Sequence, residues 1–134
     1  MDESAKENIF YAIKVAIDSL VEEKKANEKT REKLEDLNAK LNLGLQDEED
    51  FIFWVNLIID NGNFQLNKGQ LDEYDLELIA ETEDLVYFVN GTHSTLHMLF
   101  RKNKFGNRKL QINKGTTGWN LGLLVKLPKL LVID

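Results

Sequence analysis

The sequence lacks cysteine altogether and contains a single proline among its 134 residues. Without cysteine there can be no disulfide, no thiol nucleophile and no cysteine-ligated zinc site. Basic residues are also in deficit, because 17 lysines and arginines face 23 acidic residues and the net charge is −6. Domains that bind nucleic acid generally carry a basic surface, so this balance argues against a general nucleic-acid binder.

Long apolar runs are missing as well. No stretch approaches the ~20 apolar residues that a transmembrane helix needs, so the sequence predicts no integral membrane segment. The first residues, MDESAKEN, are acidic and polar and do not resemble a secretory signal peptide. A cytoplasmic location is therefore the default expectation.

The residues that are present suffice for one globular domain. Hydrophobic residues make up 43% of the chain and charged residues 30%, which is typical of a folded domain with its own core. The length also suits one domain. We predict a single domain over residues 1–134, with N-terminal helices over 4–37 and the sheet and remaining helices over 38–131.

Two helices are predicted in the first part of the chain. Residues 4–25 carry apolar side chains three and four positions apart, and Ser4 can serve as the N-cap. Residues 27–37 suggest a second, more charged helix. The next stretch, LNAKLNLGL over 37–45, alternates apolar and other residues, which favours a strand over a continued helix.

Strands and short helices follow. The pair Asn61-Gly62 predicts a tight hairpin, because a type I′ turn needs positive φ at both positions. Thr82 starts a predicted short helix over 83–90, and Gly91 can end it. Thr92 can cap a second short helix over 93–103, in which Leu96, Leu99 and Phe100 are expected to face inward. The predicted strands are 37–45, 51–60, 63–69, 74–81 and 107–113. Helices and hairpins that are segregated in this way indicate an α+β layer fold.

The only two histidines are His93 and His97, in HSTLH. Histidines four residues apart share a helix face and could bind zinc, but the zinc-peptidase pattern requires a glutamate where Ser94 stands. A third histidine is also missing from the sequence. We therefore interpret both as ordinary surface or half-buried histidines.

The acidic and glycine clusters carry no catalytic signature. Acids crowd residues 47–50 and 72–75, and acids in loops are usually solvated. Gly115, Gly118 and Gly122 have neither the dinucleotide-binding nor the P-loop spacing. No catalytic residue, metal ligand or cofactor is predicted, and we expect the protein not to be an enzyme.

The stretch GTTGWNLGLLVKL, residues 115–127, is strongly apolar. As a helix over 119–127 it would present apolar side chains over a wider arc than the stripe of an ordinary surface helix. Such a helix needs apolar contacts on more than one side. Core packing, a partner subunit and an apolar ligand would each supply them, and the residues leave these three alternatives open.

Three segments, taken in order, resemble the sterol carrier protein type 2 domain, a small lipid-binding α+β module. LNAKLNLGLQDEEDFIFWVNLIIDNGNFQL is similar to its first hairpins, and YDLELIAETEDLVYFVNGT is similar to its strand followed by a short helix. HMLFRKNKFGNRKLQINKGTTGWNLGLLVKL is similar to its later helices and last strand. The resemblance covers residues 5–131.

The resemblance implies a five-stranded, mostly antiparallel sheet with helices packed on one face. It also implies a hydrophobic cavity between sheet and helices that holds a fatty acyl chain, a sterol or another apolar lipid, with no metal or redox cofactor. The residues implied as its lining are Phe88, Leu96, Met98, Leu99, Phe100, Phe105, Trp119, Leu123, Leu124 and Leu127.

A competing hypothesis assigns the apolar surfaces to protein–protein contact. Ile52, Trp54 and Ile58 alternate with Phe53 and Val55 and therefore point to the other side of their predicted strand. If that side is exposed, it would favour a homodimer.

Overall fold

The computed structural model describes residues 2–89 and 92–114. The elements, in chain order, are α1 (Glu3–Lys25), α2 (Glu28–Glu35), β1 (Ala39–Glu48), β2 (Phe51–Asp60), β3 (Asn63–Lys68), β4 (Leu76–Ala80), α3 (Thr82–Val89), α4 (Thr95–Phe100) and β5 (Gln111–Lys114). The five strands form one sheet in the order β3-β2-β1-β4-β5.

Antiparallel pairing joins β1 to β2, β2 to β3 and β4 to β5, whereas β1 and β4 are parallel. The predicted α+β fold with a five-stranded, mostly antiparallel sheet is thus confirmed, and the sheet is mixed. The parallel pair arises because the chain crosses over between β3 and β4 instead of turning back in a hairpin.

The β2–β3 hairpin is closed by the two-residue turn that the sequence predicts. Asn61 has φ of 49° and Gly62 has φ of 81°, as a type I′ turn requires. The flanking residues Asp60 and Asn63 pair across the turn. The N–H of Gly62 also donates to the carbonyl of Leu37 at 3.1 Å, which ties this turn to the start of the sheet.

Alternation along the strands separates the sheet into two faces. On one face, which we call the apolar face, the strands pack against α1, α3 and α4. Ile13 and Ile17 of α1, Leu85 and Phe88 of α3 and Met98 of α4 belong to this core. The buried strand residues of the apolar face are Ala39, Leu41, Leu43, Leu45, Phe53, Val55, Leu57, Ile59, Leu76, Leu78 and Ala80.

The opposite face carries a row of polar side chains that runs across the whole sheet. In strand order β3-β2-β1-β4-β5, its members are Asn67, Asn56, Asn42, Glu77 and Asn113, each paired in register with the next. Asn42 is 0% exposed, Asn56 4% and Glu77 6%. We call these five residues the polar row.

The connection between β3 and β4, residues 69–75, covers the middle of the polar row, and we call it the strap. Asn42 Nδ2 donates to the carbonyl of Leu71 at 3.0 Å, and its Oδ1 accepts from the N–H of Leu71 at 2.8 Å. Asn56 Nδ2 donates to the carbonyl of Gly69 at 3.0 Å. The strap therefore crosses β2 and β1 on hydrogen bonds to buried amides.

Glu77 completes the polar row without a basic partner among the ion pairs of the described residues. Its Oε2 accepts from Asn42 Nδ2 at 3.2 Å and from Gln70 Nε2 at 2.9 Å. Its Oε1 accepts from Asn113 Nδ2 at 3.0 Å. Three amide groups thus satisfy a carboxylate that is almost entirely removed from water.

The predicted N-caps of two helices are wrong by two residues each. α1 is capped by Asp2 rather than Ser4, because the Asp2 carboxylate accepts from a backbone N–H of the first turn at 2.7 Å. α4 is capped by Ser94 rather than Thr92, and Ser94 Oγ accepts from a backbone N–H of that helix at 3.1 Å.

The predicted helix over 93–103 also ends early, at Phe100, and the last strand begins late, at Gln111. Between them the chain forms a tight hairpin. Asn103 Oδ1 accepts hydrogen bonds from two backbone N–H groups of its turn, at 2.9 and 3.1 Å. Gly106 completes the turn with φ of 82°. The Asn103 side chain therefore favours this turn over a continued helix.

Candidate functional site

Phe88, Met98 and Leu99 are the predicted lining residues that lie in or against the core. Phe88 is 8% exposed and Met98 is 0% exposed, and Leu99 is partly buried against the same cluster. The N–H of Leu110 donates to the carbonyl of Met98 at 2.9 Å, which holds α4 against the chain that leads into β5. Their part in lining a cavity remains a prediction.

Leu96 and Phe100 lie on the outer side of α4. They are 67% and 68% exposed, so the expectation that they point inward with Leu99 is wrong. α4 has only six residues, and Met98 and Leu99 already occupy its inner side. Residues four apart on a helix are neighbours, so Leu96 and Phe100 form one exposed apolar surface, which we call the α4 patch.

Phe105 is the one remaining predicted lining residue that lies within the described part of the chain. Phe105 is half-buried in the turn after α4, with Lys104 Nζ 5.2 Å from the centre of its ring. Trp119, Leu123, Leu124 and Leu127 lie outside the described residues. The role of these five residues as lining remains a prediction.

A cluster of polar side chains joins α3, the start of α4 and the chain before β5. The Asp84 side chain, on α3, is only 7% exposed, and its Oδ1 is 2.9 Å from Lys109 Nζ. The same oxygen is 3.4 Å from His93 Nε2. Since the Lys109 side chain is itself 20% exposed, this ion pair is largely removed from water.

His93 is packed between two other rings. Its centroid is 4.3 Å from that of His97 and 5.1 Å from that of Tyr87, which it meets edge-on. Burial lowers the pKa of His97 from its ordinary value of 6.5, and the nearby His93 and Lys109 lower it further, whereas Asp84 acts in the opposite direction. At neutral pH His97 is therefore uncharged.

Two buried atoms of this cluster have no hydrogen-bond partner in the structure of the described residues. They are Asp84 Oδ2 and His97 Nε2. Buried polar atoms in folded proteins nearly always have a partner, and a water molecule or a ligand group would supply one to these two atoms. We call Asp84, His93, His97 and Lys109 the Asp84 cluster.

The arrangement of the two histidines differs from that of a metal site, because their rings pack against each other, 4.3 Å apart and tilted by 32°. Within residues 2–89 and 92–114, no three histidine, aspartate or glutamate side chains are grouped so that they could hold a metal ion. The chemistry of the cluster is therefore that of hydrogen bonding around a buried ion pair.

Asp47, an acid that was expected to be solvated, has a structural role. Asp47 accepts hydrogen bonds from the N–H and the Oγ1 of Thr82, at 2.9 and 2.6 Å. The end of β1 thus caps the start of α3. The neighbouring Glu48, Glu49 and Asp50 are exposed, as predicted.

Ile52, Trp54 and Ile58 are half-buried on the face that carries the polar row. The indole of Trp54 covers Gly44, where an added Cβ would lie 3.0 Å from the ring. Asn56 and the strap lie between Trp54 and Ile58, so the three side chains do not form one continuous patch. The homodimer remains a prediction, and the apolar surface that could form its interface is reduced to Ile52 and Trp54.

Two open clefts lined by described residues lie away from the predicted lining. One, of about 440 Å³, includes Ile58, Tyr74 and Asp75 beside the strap. The other, of about 370 Å³, lies between α1 and β3 and includes Val21 and Phe64. Neither contains a predicted lining residue, so neither corresponds to the site implied by the sequence.

The fold is similar to that of solved sterol carrier proteins. Sterol carrier protein domain 2 of Helicoverpa armigera matches with a TM-score of 0.57 at 18% identity, over 81% of this chain and 78% of that chain. Sterol carrier protein 2 from Yarrowia lipolytica, in its apo form, matches with a TM-score of 0.53 at 17% identity, over 100% of this chain and 97% of that chain. This chain has the sterol carrier protein 2 fold.

The resemblance drawn from the sequence is thus confirmed at the level of the sterol carrier protein 2 fold. No protein-family profile and no curated protein sequence matches the chain. In the described part, none of the helices combines the length and the apolar character that would let it cross a bilayer. Among the described residues, the apolar face, the α4 patch and the Asp84 cluster are the features from which a function can be proposed.

Proposed function

We propose that this protein binds an apolar lipid between the apolar face of its sheet and its helices, without catalysing a reaction. The observation that carries the proposal is the sterol carrier protein 2 fold. The exposed apolar surface of the α4 patch supports it. The ligand class is a fatty acyl, sterol-like or isoprenoid chain, and the protein could also transfer it.

Removal of hydrocarbon from water would drive the binding. Each buried CH₂ contributes about 0.8 kcal/mol. A chain of about a dozen methylenes would therefore contribute on the order of 8–10 kcal/mol before the cost of ordering the ligand. Release requires a comparable apolar environment, so transfer would take place to a membrane or to another apolar binding site.

The ligand is proposed to extend from the space between sheet and helices to the exposed side of α4, where the α4 patch and the C-terminal segment would border it. Leu96 and Phe100 expose large apolar side chains side by side, and contiguous surfaces of this kind mark ligand or partner sites. On this proposal the lining is completed by Trp119, Leu123, Leu124 and Leu127.

Uptake of a fluorescent fatty acid by delipidated protein tests the function. We expect saturable binding of about one probe per chain, because a single site is proposed. Native mass spectrometry of protein that has not been delipidated should show a bound lipid. Failure to take up any apolar probe, in a sample that unfolds cooperatively in urea, would overturn the proposal.

The chain offers a matched pair of variants for the position of the site. Phe100 and Tyr11 are both 68% exposed, on α4 and α1 respectively. We expect Phe100→Lys to lower the affinity for the probe about tenfold, through loss of apolar contact. Tyr11→Lys should leave the affinity unchanged. Equal effects of the two substitutions would contradict a site at the α4 patch.

A homodimer through Ile52 and Trp54 is the second candidate, supported by the half-buried indole on the face with the polar row. Sedimentation of the protein and of Trp54→Lys gives the mass of each in solution. A dimer that dissociates in the variant while probe uptake is retained would establish both functions. A monomeric wild-type protein would eliminate the dimer.

A further inference from the structure

We propose that the Asp84 cluster binds a hydroxyl group of the apolar ligand, which makes a lipid alcohol the preferred ligand class. The proposal rests on the proposed lipid-binding function and deepens it. It combines a buried ion pair, two unsatisfied atoms of complementary capacity and the position of the cluster on the helices that carry predicted lining residues.

The two unsatisfied atoms belong to one group of contacting side chains. Asp84 Oδ1 is already occupied by Lys109 at 2.9 Å and faces His93 at 3.4 Å, so Oδ2 is the oxygen that still requires a donor. The ring of His97 is 4.3 Å from that of His93, and its buried Nε2 also lacks a partner. His93 thus joins the residues that carry the two atoms.

The charges of the cluster favour a neutral ligand group. Asp84 and Lys109 already neutralise each other, so a carboxylate or phosphate would meet the lone pairs of Asp84 Oδ2 without a free cation in the cluster. An ammonium group would meet Lys109 instead. A hydroxyl is neutral and both donates and accepts. It can donate to Asp84 Oδ2, and it can accept from His97 Nε2 in the tautomer of the neutral ring that carries the proton there.

The position of the cluster supports a ligand whose body is apolar. Asp84 and Phe88 lie one turn apart on α3, and His97 immediately precedes Met98 on α4. Among the predicted lining residues that the structure describes, Phe88 and Met98 are the most deeply buried. A lipid whose chain lies against these apolar side chains would bring its polar end to the Asp84 cluster.

A long-chain primary alcohol and its methyl ether test the proposal, because the ether keeps the acceptor oxygen and loses only the donor hydrogen. Displacement of a bound fluorescent fatty acid gives the affinity of each. A site that hydrogen-bonds a ligand hydroxyl discriminates against an analogue that leaves a buried group unpaired. We expect the wild-type protein to bind the alcohol about tenfold more tightly than the ether.

Two variants test the two hydrogen bonds proposed for the ligand hydroxyl, one at His97 Nε2 and one at Asp84 Oδ2. His97→Phe keeps a ring beside His93 and removes Nε2, so the alcohol should lose about tenfold in affinity. In Asp84→Asn, Lys109 requires the amide oxygen as its acceptor, and the amide nitrogen then faces the ligand as a donor. Alcohol and ether should therefore bind Asp84→Asn equally well.

The outcomes separate this proposal from the proposed function. If the probe binds but wild-type protein does not distinguish alcohol from ether, water alone satisfies the two atoms and the hydroxyl proposal is overturned. A preference for the alcohol that persists in Asp84→Asn would also overturn it, because the hydroxyl would then donate to another group. If no apolar probe binds, the lipid-binding function itself fails. Should Asp84→Asn not fold in a urea titration, the alcohol affinity of His97→Phe decides the question, and an affinity equal to that of the wild-type protein would overturn the proposal.

Discussion

At the centre of the sheet, its two faces are buried to a similar depth by opposite means. On the apolar face, Leu45 and Val55 are 0% exposed and are surrounded by other apolar side chains. On the face with the polar row, Asn42 is also 0% exposed and Glu77 is 6% exposed, yet each is held by directed hydrogen bonds. Burial of apolar surface stabilises one face, and hydrogen bonds between buried polar groups stabilise the other.

This difference indicates which face can accommodate a ligand. Apolar contacts are non-directional, so helices on the apolar face can exchange one apolar neighbour for another. The strap has no such freedom, because its displacement would leave buried amides and a carboxylate unsatisfied. The Asp84 cluster is the exception on the helical side, since it is polar and incompletely satisfied.

The largest loss of stability is expected from a substitution that creates a cavity on the apolar face. Leu45→Ala removes a fully buried side chain and should lower the free energy of unfolding by about 2–5 kcal/mol, measured by urea denaturation. The control is Val15→Ala on α1, where the side chain is 43% exposed and the change should stay within about 0.5 kcal/mol. A loss under about 1 kcal/mol for Leu45→Ala would show that the apolar face relaxes around a cavity.

A substitution in the polar row should lower the free energy of unfolding through lost hydrogen bonds instead of a cavity. Asn42→Leu preserves side-chain volume but leaves both backbone groups of Leu71 without the partners that Asn42 supplies. We expect a loss of about 2–3 kcal/mol and faster hydrogen exchange of the Leu71 amide. Asn67→Leu is the milder control, because Asn67 makes one bond, of 3.3 Å, to Asn56. Equal effects at the two positions would contradict the role of Asn42 in holding the strap.

Gly44 tests packing on the same face without changing a hydrogen bond. A Cβ at this position would lie 2.9 Å from Ile52 Cγ2 and 3.0 Å from the Trp54 ring. Gly44→Ala should therefore cost about 1–3 kcal/mol through overpacking. Combining it with Ile52→Ala should reduce the cost, as a double-mutant cycle of urea unfolding would show. Strict additivity would mean that the strand shifts instead of the side chains.

The smallest effect is expected from titration of the Asp84 cluster. The pKa of His97 is lowered in the folded protein, so below its ordinary value of 6.5 the unfolded chain binds more protons and stability falls as the pH decreases. Urea midpoints at about pH 7.5 and about pH 5.5 measure this change. His97→Phe should show a smaller drop than the wild-type protein. An identical drop in both would assign the pH dependence to other groups.

Local patterns predicted the elements whose stability is local. The Asn61-Gly62 turn, the long alternating strand β2 and the helix α3 beginning at Thr82 were all recognisable, because period and turn chemistry act over a few residues. The errors fell where tertiary contacts compete with local pattern. The end of α4 is one such place, since the Asn103 turn replaces helix there.

The sequence indicated only two of the four residues of the Asp84 cluster, namely the two histidines. The histidine pair drew attention because four residues separate its members, and this spacing suggested metal binding. Asp84 and Lys109 carry no signal of their own, being 25 residues apart. Asp84 contacts both Lys109 and His93 in the folded protein, and these contacts make the two histidines part of a buried ion-pair cluster.

The sequence by itself determined the fold class, the strand faces and the apolar character of the core, because alternation and composition follow from hydrophobic burial alone. Only the tertiary structure decided what covers the second face. Asn67, Asn56, Asn42, Glu77 and Asn113 form a row only once the strand register is set. Hydrogen bonds are directional, so their partners depend on that register, whereas burial of an apolar side chain needs only an apolar neighbour.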